Sequence, residues 1–191
     1  MTDRPSSLIN ITQSVLPRFF GEKDQADCLQ SPPFPTDEFQ DNLTFSREIE
    51  QFGVALESLY DPLTAKGLLI RIGRETFLHV RRKFEKISCL GEINNRLKPI
   101  HKRFADSFQE LTEWITIEMF VEIQVKSEEE NQFRLILNIG NSSFLYFPYF
   151  LIGILEEFCY WLDTRKNYNL AYLEKIPLAS GEILVIIKDF A

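Results

Sequence analysis

The stretch ITIEMFVEIQVKSEEENQFRLILNI, at residues 115–139, decides the fold class. Apolar side chains stand at every second position from Ile115 to Val125, and again from Phe133 to Ile139. A period of two is typical of a β-strand that buries one face. The polar SEEEN between the two runs suits a turn. The stretch therefore predicts an antiparallel hairpin, with strands over residues 115–126 and 133–139.

Helical periodicity surrounds this hairpin. Apolar residues recur there at steps of three and four, which indicates helices with one buried face. The predicted helices cover residues 8–20, 46–60, 64–86, 93–113 and 147–163, and two more strands cover 168–175 and 182–189. This order predicts an α+β fold, with four to five helices packed on a small antiparallel sheet of about four strands.

Three positions give local expectations within these helices. Ser46 is the expected N-cap of the second helix, which should end at Asp61-Pro62. Gly73 lies in the middle of the third helix, where a glycine destabilises the helix by about 1 kcal/mol relative to alanine. We interpret it as a point of close approach by another helix or a ligand.

The length of 191 residues suits one domain. We predict that this domain spans residues 1–191, with a helix and a Pro-rich loop over 1–43 and the core over 44–191. The sequence has 17 Phe against 6 Tyr and 2 Trp. Such a composition is typical of a Phe-rich core, although an aromatic-lined pocket for a flat apolar ligand would explain it too.

Cysteine usage and the lack of targeting segments predict a cytoplasmic protein. Cys28, Cys89 and Cys159 are too far apart for a zinc knuckle and do not suggest a disulfide framework. The N-terminus lacks the pattern of a signal peptide. The longest uncharged apolar run, residues 144–155, is shorter than the roughly 20 residues of a membrane-spanning helix.

The net charge of −7 is unevenly distributed. Lys66–Arg103 contains 11 Lys and Arg against 3 Asp and Glu, so the rest of the chain is strongly acidic. The acidic total argues against nucleic-acid binding. The basic segment allows an anion site or a docking face. Through Arg81, Arg82 and Lys83 it also allows, at most, a peripheral contact with an anionic membrane.

Two long stretches resemble a known family. They are LTFSREIEQFGVALESLYDPLTAKGLLIRIGRETF at 43–77 and FLIGILEEFCYWLDTRKNYNLAYLEKIPLASGE at 150–182. In their order and local strings they resemble the 4-vinyl reductase domain family, whose fold is related to subunits of the TRAPP vesicle-tethering complex. The resemblance implies a homodimer that binds a hydrocarbon or a tetrapyrrole. It further implies a role in pigment handling or photosystem assembly, with a protein assembly partner.

Zinc-binding members of that family use one Glu and three Cys. When the Gly-acidic turn is aligned on Gly181-Glu182, the Glu falls on Glu174. Two of the Cys positions then fall on Pro177 and Val185, and the third has no Cys. Zinc needs three or four good donors. We therefore predict no metal and no cofactor, apart from a possible tetrapyrrole or lipid ligand.

No catalytic pattern is present in the sequence. His79 and His101 lie among Lys and Arg, and no Ser/His/Asp or Cys/His signature surrounds either of them. We therefore interpret them as solvated helix residues. No P-loop or GxGxxG string supports nucleotide chemistry. We predict that the protein is not an enzyme.

The candidate ligand site combines two arginines with aromatic side chains. Arg71 and Arg74 share a helix face and can hold carboxylates, although ion pairs with the acidic remainder explain them too. Gly73 between them would admit a flat ring. The aromatic residues suit a pocket, but core packing or a dimer seam explains them equally well. The predicted ligand-binding residues are Arg71, Gly73, Arg74, Phe77, Phe147, Phe150, Phe158 and Trp161.

The sequence thus predicts a non-enzymatic domain that binds a hydrophobic small molecule, of the tetrapyrrole or acyl class, between its helices and its sheet. A cavity of about 300 Å³ or more, with an arginine at its mouth, would favour this function. One alternative is a dimeric scaffold or assembly protein whose pocket is filled by its own Phe side chains. The other is an accessory subunit in tetrapyrrole reduction.

Overall fold

The computed structural model describes residues 12, 14–20, 44–119, 121–129, 132–138, 144–164, 166–174 and 180–189. In these ranges a 3₁₀ turn is followed by six α-helices and four strands. The helices are α1 (Thr44–Leu59), α2 (Pro62–Lys83), α3 (Glu85–Cys89), α4 (Ile93–Arg96), α5 (Ile100–Met119) and α6 (Phe147–Leu162). The strands are β1 (Glu122–Glu129), β2 (Gln132–Asn138), β3 (Lys166–Glu174) and β4 (Ser180–Asp189). The predicted α+β class is confirmed.

The four strands form one antiparallel sheet in the order β1-β2-β4-β3. Val125 of β1 pairs with Leu135 of β2, and Leu135 pairs in turn with Ile183 of β4. Alternate residues of β2 are buried, so one face of the sheet meets the helices. On the opposite face, Arg134 and Glu182 form an ion pair of 2.7 Å.

The strand predicted from Ile115 is wrong in its first half. Helix α5 continues to Met119, and β1 begins only at Glu122. The reason is that Leu111, Ile115 and Met119 also recur at four-residue steps, and all three are fully buried. Ile117 would face the core in a strand, whereas in the helix it is 59% exposed.

Helix boundaries are set by prolines and one aspartate. The predicted end of the second helix at Asp61-Pro62 agrees with α1, and Asp61 also caps α2. Its Oδ1 accepts hydrogen bonds from the backbone of Leu63 and Thr64 at 2.9 and 3.1 Å. The expected N-cap Ser46 is wrong, because it lies inside α1 and is buried. The single helix predicted over 93–113 is broken before Pro99 into α4 and α5.

Helices α2 and α6 cross at a pair of glycines. A Cβ atom on Gly73 would collide with the backbone oxygen of Phe150, and one on Gly153 would collide with that of Ile70. The close approach expected at Gly73 is therefore made by a helix. This contact fixes how the aromatic side chains of both helices meet the sheet.

The first predicted helix, over 8–20, lies largely outside the described residues. Its described part contains the 3₁₀ turn Leu16–Arg18 and the buried Val15 and Phe20. In the part of the chain that the structure describes, no helix has the length and apolar character needed to cross a membrane.

Candidate functional site

Seven aromatic rings fill the space between the helices and the sheet. We call them the ring cluster, and they are Phe77, Phe104, Phe108, Phe133, Phe158, Trp161 and Tyr168. Phe108 is central, with its ring centroid 5.1 Å from that of Phe133 and 5.7 Å from that of Phe158. Both ring pairs are tilted, at interplanar angles of 52° and 49°, and their separations lie within the roughly 4.5–7 Å that is favourable for aromatic pairs. All five phenylalanines are fully buried.

The ring cluster occupies the region where we expected a ligand to enter. Phe77 lies edge-on to Phe158 and Trp161 at 5.7 and 5.9 Å, so α2 and α6 close on each other through their own side chains. Three of the predicted ligand-binding residues thus belong to one packed group. Their role in binding stays a prediction.

Phe147 and Phe150 belong to a different aromatic group. Phe147 contacts Phe144 at 5.4 Å, and Phe150 contacts Phe45 of α1 at 5.7 Å. Both residues are fully buried near the start of α6. The predicted aromatic site is therefore divided between two groups, one at each end of this helix.

The two arginines of the predicted site have partners in the protein. Arg74 donates to Oε2 of Glu156 from two nitrogens, at 2.7 and 2.5 Å. The guanidinium of Arg71 lies over the ring of Phe19, 5.2 Å from its centroid. The intramolecular alternative that the sequence left open therefore describes Arg74 well. Because this ion pair is half exposed, it contributes about 1 kcal/mol or less.

The histidines are more enclosed than the sequence suggested. His101 is half-buried and stacks on Phe133 at 5.6 Å, so one side of its ring is covered by the protein. His79 is also partly buried. Burial lowers its pKa, and the charges of Arg18 and Arg82 add to this effect. Both effects favour the neutral form of His79.

The described thiols have opposite environments. Cys159 lies fully buried in α6, and burial raises its pKa far above the usual value. Cys89 is exposed at the end of α3. A hydrogen bond with Glu92 raises the pKa of Cys89, so both thiols are poor nucleophiles. Cys28 and the side chain of Glu174 lie outside the described residues. Within those residues, no group of three or more His, Cys, Asp or Glu side chains could hold a metal ion.

A buried ion pair closes one end of the ring cluster. Nη2 of Arg103 in α5 lies 2.5 Å from Oδ2 of Asp163, which ends α6, and both side chains are at most 4% exposed. Nη1 of Arg103 donates to the backbone oxygen of Arg96, and the hydroxyl of Tyr168 donates to that of Asp163. No local pattern predicts this pair, because its members are 60 positions apart.

A cleft of about 800 Å³ lies between α3, α4 and α5. Its size falls within the roughly 300–1,000 Å³ of typical small-molecule sites. Its walls carry five carboxylates against two lysines, Lys86 and Lys98. The carboxylates belong to Glu85, Glu92, Asp106, Glu110 and Glu113. No sequence pattern predicts this cleft, because residues 66–103 are basic as a segment. Only the fold sets Glu85 and Glu92 opposite the acidic face of α5.

A smaller cleft of about 470 Å³ continues along the same helix. It shares Gln109 and Glu113 with the larger one, and Ile117, Ile123 and Val125 give it a more apolar wall. Together the two clefts follow α5 as far as β1. We refer to the larger one as the acidic cleft.

Comparison with known proteins identifies the architecture. No family model matches the chain, and no similar curated protein is found. Solved structures do match it along nearly its whole length. The Fe(II) unliganded H-NOX protein from K. algicida superposes with a TM-score of 0.65 at 12% identity, covering 96% of each chain. The chain has the H-NOX fold. A Cs H-NOX mutant carrying 4-cyano-L-phenylalanine gives a TM-score of 0.62 at 12% identity and the same coverage.

The H-NOX fold corrects the expected kinship. The prediction of a 4-vinyl reductase or TRAPP-type domain is wrong, because H-NOX domains match at 96% coverage and no family model matches the stretches that carried the resemblance. Gly73 was part of that resemblance, yet the crossing of α2 and α6 alone explains it. A short sequence motif that is required for helix packing does not by itself identify a family. The implied roles in pigment handling, photosystem assembly and tetrapyrrole reduction are withdrawn with it.

The H-NOX fold also corrects the cofactor prediction. We expected no cofactor beyond an optional tetrapyrrole or lipid. Structures with this fold include one that probes heme distortion in the H-NOX family, with a TM-score of 0.61 at 12% identity over 98% of this chain and 96% of that one. Another modulates heme redox potential through porphyrin distortion. Heme is thus part of the work on solved structures with this fold, which contradicts the prediction of no cofactor.

Proposed function

We propose that this chain is a non-enzymatic domain that binds a small molecule in a sensory or regulatory role. The observation that carries the proposal is its agreement with H-NOX structures over 96% of both chains at a TM-score of 0.65. The acidic cleft offers an open space of about 800 Å³ in which a small molecule could lie.

Heme is the first ligand to test against these residues. A heme needs an axial ligand, most often His, Cys, Met or Tyr, and a pocket that closes around the macrocycle. The ring cluster fills the space between helices and sheet, and His101, the histidine beside it, stacks on Phe133. The acidic cleft offers the thiol of Cys89, but its surplus of carboxylates would repel the two propionates of a heme. Between helices and sheet, His101 would supply an axial nitrogen, and a heme fits there only if the rings of the cluster move apart.

Native mass spectrometry of the purified chain, with an absorbance scan from the Soret region to the red, tests the binding function. We expect a retained small molecule, or saturable binding in a ligand screen read by the rise in Tm. A Soret band that saturates at one heme per chain would show that the ring cluster opens, and would name the ligand. A chain that neither retains nor binds any small molecule while fully folded would contradict the proposal.

A scaffold is the second candidate function, and the ring cluster favours it. A domain whose interior is filled by its own side chains can act by presenting surfaces to a second copy or another protein. The predicted homodimer belongs to this candidate. Light scattering on a ligand-free sample distinguishes the two, because a scaffold should be a stable dimer without any ligand. We place either form in the cytoplasm, and the thiols of Cys89 and Cys159 suit a reducing compartment.

A further inference from the structure

We propose that the edge strand β1 pairs in an antiparallel manner with β1 of a second copy of this chain. This pairing goes beyond the proposed small-molecule function and gives the dimer of the second candidate function its contact surface. In the sheet order β1-β2-β4-β3, β1 has a neighbouring strand on one side only. Its free edge, the cleft beside that edge and the order of its charges together point to the second copy.

The outer edge of β1 is open to another strand. Residues 122–129 pair with β2 on the inner side, and no backbone hydrogen bond between described residues reaches the outer side. Unpaired N–H and C=O groups on such an edge are a template for pairing with another chain. The ladder with β2 is regular from Glu122 to Ser127, and a bulge follows. The regular stretch is therefore the part that can add a strand.

The smaller cleft lies along this edge. It is lined by Ile123, Gln124 and Val125. Because consecutive residues of a strand point to opposite faces of the sheet, a cleft that touches all three reaches the outer edge of β1. Ile117 of α5 lines the same cleft and is 59% exposed. An added strand would lie in this space of about 470 Å³ and cover apolar surface there.

The order of charges along β1 selects a second copy as the added strand. Two antiparallel β1 strands that are in register about Gln124 bring position 122 of each copy opposite position 126 of the other. Glu122 and Lys126, which are both exposed, then face each other twice. Opposite charges directly across a strand pair stabilise it, and like charges destabilise it. On the other face, Ile123 meets Val125 of the second copy, also twice.

Neither charge has a strong partner within one chain. Lys126 lies directly across from Arg134 of β2, which has the same charge and forms its ion pair with Glu182. No carboxylate among the described residues forms an ion pair with Lys126. Glu122 accepts a long hydrogen bond of 3.4 Å from Gln124. A second copy would therefore supply Lys126 with the carboxylate that its own chain does not.

Sedimentation analysis of the full chain over a range of concentrations tests the pairing. We expect a monomer–dimer equilibrium for the parent chain. Lys126→Glu should weaken the dimer by about tenfold or more, because both charge pairs change from attraction to repulsion. Glu122→Lys should weaken it to a similar extent for the same reason. Both side chains are exposed, so each variant should keep the circular dichroism spectrum of the parent chain.

A mixture of the two single variants gives the decisive result. In a mixed dimer, each position 122 again faces a position 126 of opposite charge, so the mixture should dimerise about as tightly as the parent chain. The double variant Glu122→Lys/Lys126→Glu should do the same. Lys102→Glu is the matched control, because it makes the same change of net charge at an exposed position in α5. Its dimer should equal that of the parent.

Two results would overturn the pairing. A parent chain that stays monomeric at its highest soluble concentration would show that Lys126 protects the edge instead. A dimer that neither single variant weakens would place the contact elsewhere and leave the scaffold function standing. Native mass spectrometry of Lys126→Glu keeps the small-molecule function separate, since this variant should retain the same molecule as the parent chain. If nothing is retained but the mixture dimerises, the small-molecule function falls and the pairing stands.

Discussion

At the scale of single residues, Glu48 has a buried carboxyl group whose charged form is destabilised by the fold. It lies in α1 with 5% of its surface exposed, and Oε2 has no hydrogen-bond partner among the described residues. Burial raises its pKa from the model-compound value of 4.5 to about 7. The folded state therefore holds a proton that the unfolded state has released.

This proton makes stability fall as pH rises. The favourable contribution is complete below the unfolded pKa of 4.5 and is lost as pH rises through about 7. The difference amounts to about 3 kcal/mol at most. We expect the variant Glu48→Gln to lose much of the decline in unfolding free energy between pH 5 and pH 7.5. Urea unfolding at both pH values measures it. The exposed Glu122, changed to Gln, is the control and should leave the decline intact.

Substitutions of Ile115 and Ile117 test whether residues 115–119 form a helix rather than a strand. In a strand both side chains would face the core, but in α5 Ile117 is exposed and Ile115 is fully buried. We expect Ile117→Ala to change the free energy of unfolding by about 0.5 kcal/mol or less. Ile115→Ala should reduce it by about 2–5 kcal/mol. Equal losses in the two variants, measured by urea unfolding, would contradict the helix.

At the scale of elements, the crossing of α2 and α6 depends on backbone contact. A methyl group at position 73 meets the backbone of α6, which cannot move aside as a side chain can. We expect Gly73→Ala to destabilise the protein by several kcal/mol, as overpacking does. Gly67 of the same helix has nothing within 4 Å of an added Cβ. Gly67→Ala should therefore stabilise by about 0.5–1 kcal/mol. Thermal melts of both variants give the comparison, and a Gly73→Ala melt like that of the parent would refute the close crossing.

The Arg103–Asp163 ion pair joins α5 to the end of α6. Because both groups are buried, Arg103→Met should leave a buried carboxylate without its cation and reduce stability by about 3–5 kcal/mol. The double variant Arg103→Met/Asp163→Leu should recover much of that loss. The exposed pair of Arg18 and Glu75 is the comparison, and Arg18→Met should cost about 1 kcal/mol or less. Chemical unfolding of the three variants and the parent chain checks this order of stabilities, and a double variant no more stable than Arg103→Met would contradict it.

At the scale of the whole molecule, the ring cluster is the packed interior that joins the helices to the sheet. Phe133 is fully buried in it, whereas Leu97 is 77% exposed. We expect Phe133→Ala to lower the free energy of unfolding by about 3–5 kcal/mol. Leu97→Ala should change it by about 0.5 kcal/mol or less. Urea unfolding of both variants measures the difference, and equal losses would contradict the packed interior.

The sequence by itself determined the fold class, the antiparallel pairing of β1 with β2 and the extent of α6. These features follow from local patterns, since the periodicity of apolar residues, turn residues and prolines acts over a few positions. The same local patterns misassigned residues 115–119. Apolar residues at every second position, as in a strand, also include residues four apart, as on one face of a helix. Only the burial of Leu111, Ile115 and Met119 against the rest of the core distinguishes the two.

Tertiary structure alone decided the role of the candidate residues. Gly73 could have admitted a ligand or a helix, and the position of α6 makes it a helix contact. Arg74 could have held a ligand carboxylate, and Glu156 lies where it forms an ion pair instead. The acidic cleft exists because Glu85 and Glu92 face α5 across a fold that no local pattern encodes. Contacts between residues far apart in the chain set these outcomes, and a sequence pattern records only neighbours.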